Sequence, residues 1–157
     1  MNIKLVVVGK TEEKYLKDGI DIFEKRLKFY IPYEMIIIPS LKDTKSLSPQ
    51  MVKEREGELI IKQVSKADKV ILFDEMGEEF RSIEYANFLQ KNMNAGIKTM
   101  CFVVGGAFGF SDEVYKIANL KIAMSKMTFS HQMIRLMIVE QLYRAFTILK
   151  NEPYHNE

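Results

Sequence analysis

The 157-residue chain has one cysteine, Cys101, so it can form no intrachain disulfide and its natural setting is a reducing compartment. Histidine is almost as scarce. His131, His155 and Cys101 lie far apart and follow no zinc spacing, so no metal centre is expected. No apolar run approaches the roughly 20 residues needed to span a bilayer. The opening Met1-Asn2-Ile3-Lys4-Leu5 lacks the apolar core and small-residue cleavage site of a signal peptide, which makes a cytoplasmic location the expectation. An excess of one charge is also missing. The formal net charge of +2 is too small to argue for nucleic acid by itself. Lys10, Lys14, Lys17, Lys25, Arg26 and Lys28 do crowd the first thirty residues, but a solvated helix face accounts for them. There is no Gly-x-Ser-x-Gly elbow to support a hydrolase triad. Val8-Gly9-Lys10-Thr11 imitates the end of a phosphate-binding loop, yet Lys4 stands where that loop requires glycine.

What is present is the balance of an ordinary globular domain, 47% hydrophobic and 28% charged, and residues 1–157 are long enough to bury one sound core. Apolar runs of strand length alternate with helical patterns. Strands are expected at Ile3 to Val8, Tyr33 to Ile38, Lys69 to Asp74, Lys98 to Val104 and Leu120 to Met124. A helix is expected from Glu12 to Tyr30, with Leu16, Ile20, Phe23, Leu27 and Tyr30 on one side. Pro39 to Pro49 reads as a flexible connection, and Pro49 starts a helix running to about Val64. Ser82 is expected to cap a helix that stops near Gly96, and Ser111 to cap a short one. His131 to Lys150 forms the last helix. Strict alternation of strand and helix argues for a layered α/β fold with a mostly parallel sheet.

The last third carries the chemistry. Gly105-Gly106-Ala107-Phe108-Gly109 follows a strand and precedes a capped helix, where ligands of parallel sheets bind, although a mere tight turn is an equal reading. The final helix is apolar nearly all round, and a homodimer interface is the simplest way to cover it. Its charged residues Arg135, Glu140 and Arg144 can pair locally, Glu140 and Arg144 at i,i+4. The tail Pro153-Tyr154-His155 either frays or docks near a cleft.

Four blocks in order (Gly105-Gly106, Ser125 to His131, Glu140-Gln141-Leu142-Tyr143-Arg144-Ala145 and Tyr154-His155) together resemble the 23S rRNA pseudouridine N3-methyltransferases of the SPOUT class. These are small bacterial enzymes that methylate a pseudouridine in helix 69 of the large-subunit RNA, and the resemblance covers essentially the whole chain. It implies a layered α/β/α fold with a mostly parallel five- or six-stranded sheet. It also implies a C-terminal deep trefoil knot, within a cofactor-binding region over about residues 70–157, that holds S-adenosylmethionine bent. By position the cofactor contacts fall on Phe73, Gly105, Met124, Ser125, Lys126, Met127, Thr128 and Phe129. The catalytic set implied is His155, Tyr154, Arg144 and His131. Either histidine serves as base for the N3 proton, Arg144 stabilises charge on the flanking carbonyl oxygens, and Tyr154 meets the target base. A homodimer acting on 23S rRNA within the assembled ribosome is implied, with no metal and no membrane. The chain departs from the family at Phe73, usually leucine, and at Ser130, usually proline; the serine is expected to loosen the loop that fixes His131. A SPOUT enzyme acting on transfer RNA, and a non-catalytic nucleotide-binding α/β module, are the alternatives.

Overall fold

In the computed structural model, which describes residues 1–156, five parallel strands form one sheet in the order β2-β1-β4-β3-β5. The strands are β1 (Asn2–Val8), β2 (Tyr33–Ile38), β3 (Lys69–Glu79), β4 (Thr99–Val104) and β5 (Leu120–Ala123). The helices are α1 (Lys14–Leu27), α2 (Pro49–Val64), α3 (Ser82–Asn94), α4 (Asp112–Ile117) and α5 (Met133–Leu149). The α/β class and the parallel sheet thus agree with the expectation from the alternating pattern.

Strand alternation sorts the core into two halves. Ile3, Leu5 and Val7 of β1, with Met100, Phe102 and Val104 of β4, pack beneath α3 and α5 and the end of α1. Val6 and Val8, with Cys101 and Val103, face α2 and α4 on the other side. Central strands buried on both faces read as continuous apolar runs, which is why β1, β3 and β4 were conspicuous.

Element ends show where local chemistry overrides pattern. Pro49 is the first residue of α2, and the Ser48 hydroxyl accepts from the Met51 N–H at 3.2 Å. Gly96, at φ +79, ends α3 as expected. Ser111 caps α4 by accepting from the Val114 N–H. At the start of α3 the expectation is corrected. Arg81 holds the cap position and Ser82 is the first helical residue, because the Glu84 carboxylate reaches back to the Arg81 N–H at 2.8 Å. α1 stops at Leu27, not Tyr30; its last carbonyls bond to Lys28, Phe29 and Tyr30 in tightening turns before Pro32. Pro39 to Pro49 contains one short 3-10 turn, Thr44–Ser46.

β3 continues five residues beyond Asp74. A register shift between Phe73 and Glu78 lets it pair with β5 twice, Phe73 and Glu78 both facing Ile122. The shift needs Gly77, where a Cβ would lie 2.6 Å from the backbone of Ile122. α5 finds much of its cover inside the chain, against α1, α3 and the sheet, and none of its residues is fully exposed. A second copy is therefore not needed to hide the helix as a whole. No helix among the described residues is long and apolar enough to cross a membrane.

Candidate active site

The carboxyl ends of β3, β4 and β5 open into a cavity of about 720 Å³. Three loops wall it. Asp74, Glu75 and Met76 come from the bulged part of β3, residues 105–110 follow β4, and residues 124–131 run from β5 towards α5. These three strands contribute the apolar side chains Phe73, Val104 and Ile122 to its lining. Phe73 is buried and packs on Phe102 at 5.7 Å between ring centroids, so its phenyl ring serves core and cavity at once.

The glycine turn is a narrow hairpin. The Gly109 N–H bonds to the Gly106 carbonyl at 3.1 Å, which pushes Ala107 and Phe108 out at the tip. Gly105 lies under it, where a Cβ would stand 3.2 Å from the Gly109 backbone, so a side chain would spread the hairpin. The third loop is held by its own hydroxyls. Ser125 Oγ accepts from the Met127 N–H at 2.8 Å, and Thr128 Oγ1 donates to Glu75 at 2.6 Å, closing one loop on another. Tyr115 of α4 donates to Asp74 across the cavity wall. Its burial and that carboxylate push the phenol pKa up, so it remains a donor.

Ser130 does not loosen the loop. Its hydroxyl accepts from the Met133 N–H at 3.0 Å and its carbonyl from the Ile134 N–H at 3.0 Å, which ties the loop to the first turn of α5. The helix begins at Met133, with Gln132 at its cap position, two residues later than the pattern suggests, and His131 lies in the turn before it. His131 lines the cavity, and burial together with the nearby Arg135 lowers its pKa below the ordinary value of 6.5. Arg135 does not pair with an acid as expected. It is fully buried and donates to the carbonyls of Val8, Gly9 and His131.

Of the residues implied by the resemblance, Phe73, Gly105, Met124, Ser125, Met127, Thr128, Phe129 and His131 line this one cavity. Lys126 does not line it and is exposed. Tyr154, His155 and Arg144 lie elsewhere: Arg144 is roughly 15 Å along the α5 axis from Ile134, which touches the cavity. The tail is docked, not frayed. Asn151 adopts φ +54 and turns the chain back, so that the Glu152 N–H bonds to the Thr147 carbonyl at 2.9 Å. Tyr154 then packs edge-on against Tyr143 at 4.7 Å beneath the Arg144 guanidinium and donates to Glu140 at 3.0 Å. Glu140 also holds Arg144 at 2.9 Å, the i,i+4 pair read from the sequence, and Arg144 reaches His155 Nδ1 at 3.4 Å. Within one chain the residues implied by the resemblance therefore fall into two groups, one at the cavity and one in a polar aromatic cluster.

Asp74, Glu75 and Tyr115 were missed by the sequence reading. The first two follow the buried run Val70 to Phe73 directly, at the end of a strand where ligands bind, and that position was the available signal.

The volume is that of a pocket for one small organic ligand. Apolar walls for an adenine (Phe73, Val104, Ile122), a glycine hairpin that a ligand can approach closely, and the carboxylates of Asp74 and Glu75 for a positive sulfonium fit S-adenosylmethionine. Comparison with known proteins agrees. A family model described as "Predicted SPOUT methyltransferase" matches residues 1–155. A ribosomal RNA large subunit methyltransferase H of Flavobacterium psychrophilum is 55% identical over 157 residues, covering all of both chains. One from Christiangramia forsetii is 56% identical over 156 residues, covering 99% of each. The crystal structure of a tRNA (m1G37) methyltransferase from Aquifex aeolicus shares the fold with a TM-score of 0.57 at 14% identity, over 100% of this chain and 76% of that one. A parallel sheet whose strand ends build this cavity, and a match in sequence from end to end, place the chain in the SPOUT methyltransferase family.

Proposed function

We propose that the chain uses S-adenosylmethionine to methylate the N3 of a pseudouridine in helix 69 of 23S rRNA, on the assembled ribosome in the cytoplasm. The observation that carries this is the cavity itself, built from eight residues that the resemblance to the rRNA enzymes names as cofactor contacts or catalytic candidates. Full-length relatives at more than half identity, both named as large-subunit rRNA methyltransferases, support the choice of RNA over the tRNA alternative. A C-terminal knot is part of the proposal, as the family's way of bending the cofactor.

Bound in the cavity, S-adenosylmethionine supplies a methyl group already activated by a positive sulfonium. The chain's own residues have three tasks left. Phe73, Val104 and Ile122 exclude water, and the hydroxyls of Ser125 and Thr128 fix the loop. The N3 proton of the base must be taken. His131 is neutral near pH 7 and lies at the cavity, while His155 waits beside Arg144 in the tail cluster. Arg144, held by Glu140, stabilises charge on the carbonyl oxygens that flank N3.

Because the tail cluster and the cavity are apart within one chain, the complete site forms in a homodimer, where the tail of one copy meets the cavity of the other. The test is direct. The chain is incubated with S-adenosylmethionine and ribosomes from a strain lacking this methylation, and nucleosides of the 23S rRNA are analysed by mass spectrometry. Conversion of pseudouridine to its N3-methyl form is expected. Methylation of transfer RNA instead, or binding of ATP in preference to S-adenosylmethionine, overturns the reading.

A further inference from the structure

Among the described residues Arg135 is the largest fully buried side chain, and no carboxylate lies within ion-pair distance of it. An arginine taken out of water costs several kcal/mol unless its donors are satisfied. Here they are spent on the backbone. Nη2 donates to the Val8 carbonyl at 2.7 Å, Nη1 to the Gly9 carbonyl at 2.8 Å and to Thr11 Oγ1 at 3.2 Å, and Nε to the His131 carbonyl at 2.9 Å. The neighbouring Gln132 adds two bonds to the same turn: Nε2 donates to the Lys10 carbonyl at 3.1 Å, and Oε1 accepts from the Glu12 N–H at 3.1 Å. Five hydrogen bonds thus tie the β1–α1 turn, residues 8–12, to Gln132 and Arg135 at the start of α5, and the sixth holds the His131 carbonyl to the same guanidinium.

The placement matters because that turn lies outside the cavity while His131 lies on it. A simple core could have joined the two with apolar side chains. The joint instead fixes a permanent positive charge one helical turn from an imidazole, since a guanidinium does not deprotonate. Two charged groups act on the His131 ring, Arg135 from its own segment and Glu12 from the strapped turn, and they oppose one another.

We propose that Arg135 is a positioning residue of the active site: it straps His131 to the β1–α1 turn and, with Glu12, sets the charge against which that imidazole accepts a proton at the cavity. The inference rests on the reading of the cavity as the methyl-transfer site. It assigns a functional part to Val8–Glu12, the segment whose sequence only imitates a phosphate loop. Arg135 is not a catalytic residue, because it touches neither cofactor nor base.

The test follows the two histidine Cε1 proton resonances of the full chain against pH, with His155 as internal reference. In Arg135→Gln the His131 titration moves to higher pH, and in Glu12→Gln it moves to lower pH. Glu12 is exposed, so its variant folds whatever becomes of the arginine. Methylation of ribosomes by Arg135→Gln falls on the order of 10²-fold, as for a misplaced active group, and Arg135→Lys, which keeps the charge and can bond two of the carbonyls, recovers most of it. The acid limb of the methylation rate against pH follows the His131 titration in each variant. An unmoved His131 titration in both Glu12→Gln and a folded Arg135→Gln overturns the strap. Titrations that move in opposite directions support it even in a chain that methylates no ribosomal RNA, and in that event it is the proposed function that fails.

Discussion

Glu56 shows how much one buried group can weigh. Its carboxylate lies against the Gly105-Gly106 turn, 2.5 Å from where a Cβ on Gly106 would stand, and Oε2 has no hydrogen-bond partner among the described residues. Burial raises its pKa above the ordinary 4.5. A carboxyl whose folded pKa is raised binds more protons folded than unfolded, so stability falls as pH climbs from the unfolded pKa through the folded one. Replacing Glu56 by Gln should therefore flatten the fall in urea midpoint on that alkaline side and leave the midpoint at pH 7 equal to or above that of the parent. His131 works with the opposite sign of proton demand. Its folded pKa is lowered, so the unfolded chain binds more protons, and stability is lost as pH drops through the unfolded value near 6.5. His131→Gln should reduce that acid-side slope in the same urea series.

At the scale of the element, two joints decide the cavity. The first is the start of α5. Ser130 satisfies the first N–H of α5 through its hydroxyl, so Ser130→Ala should cost about 1 kcal/mol in urea denaturation and weaken cofactor binding measured by calorimetry, because the loop ahead of the helix then loses its anchor. The serine thus anchors the loop that it was expected to loosen. The second joint is the double pairing of β3 with β5. With the Ile122 backbone 2.6 Å from a Cβ at Gly77, Gly77→Ala must push β5 away or deform the bulge. The expected loss is about 1–3 kcal/mol, with lowered affinity for S-adenosylmethionine, since β5 leads directly into residues 124–129. Unchanged affinity in a destabilised Gly77→Ala would show that the bulge serves folding alone.

For the whole molecule, the separation of cavity and tail cluster leads to an assembly experiment. A chain truncated before Pro153 retains the cavity, and a chain with Gly105→Val retains the tail but fills the space beneath the hairpin. Each alone should be inactive on ribosomes, the truncated one binding S-adenosylmethionine nearly as well as the parent. Mixed after co-refolding, the pair should regain a substantial part of the activity, because half of the sites in a mixed dimer are complete. No recovery would place both parts of the site in one chain. The modest net charge of +2 limits long-range attraction to RNA, so methylation should slow with added salt only as far as a few phosphate contacts dictate.

Much of this was legible along the chain. The buried strands stood out because residues covered on both faces are apolar without interruption, and Pro49, Gly96 and Ser111 marked helix ends through chemistry that acts within a few residues. The run Met124 to Phe129 and the glycine pair were legible through the resemblance, as were Tyr154 and His155. What the linear pattern could not carry were contacts that join distant segments. The extension of β3 past Asp74 depends on Ile122, more than forty residues on. Arg135 reads as a charge that pairs locally on its helix until residues 8–12 fold over it. By itself, then, the amino-acid sequence determined the α/β class, most element boundaries and the family, all of which follow from short-range periodicity and local motifs. Only the tertiary structure decided that the cavity and the tail are separate, that Ser130 stiffens its loop, and that a buried arginine holds His131. Hydrogen bonds made across more than a hundred residues leave no period in the sequence that forms them.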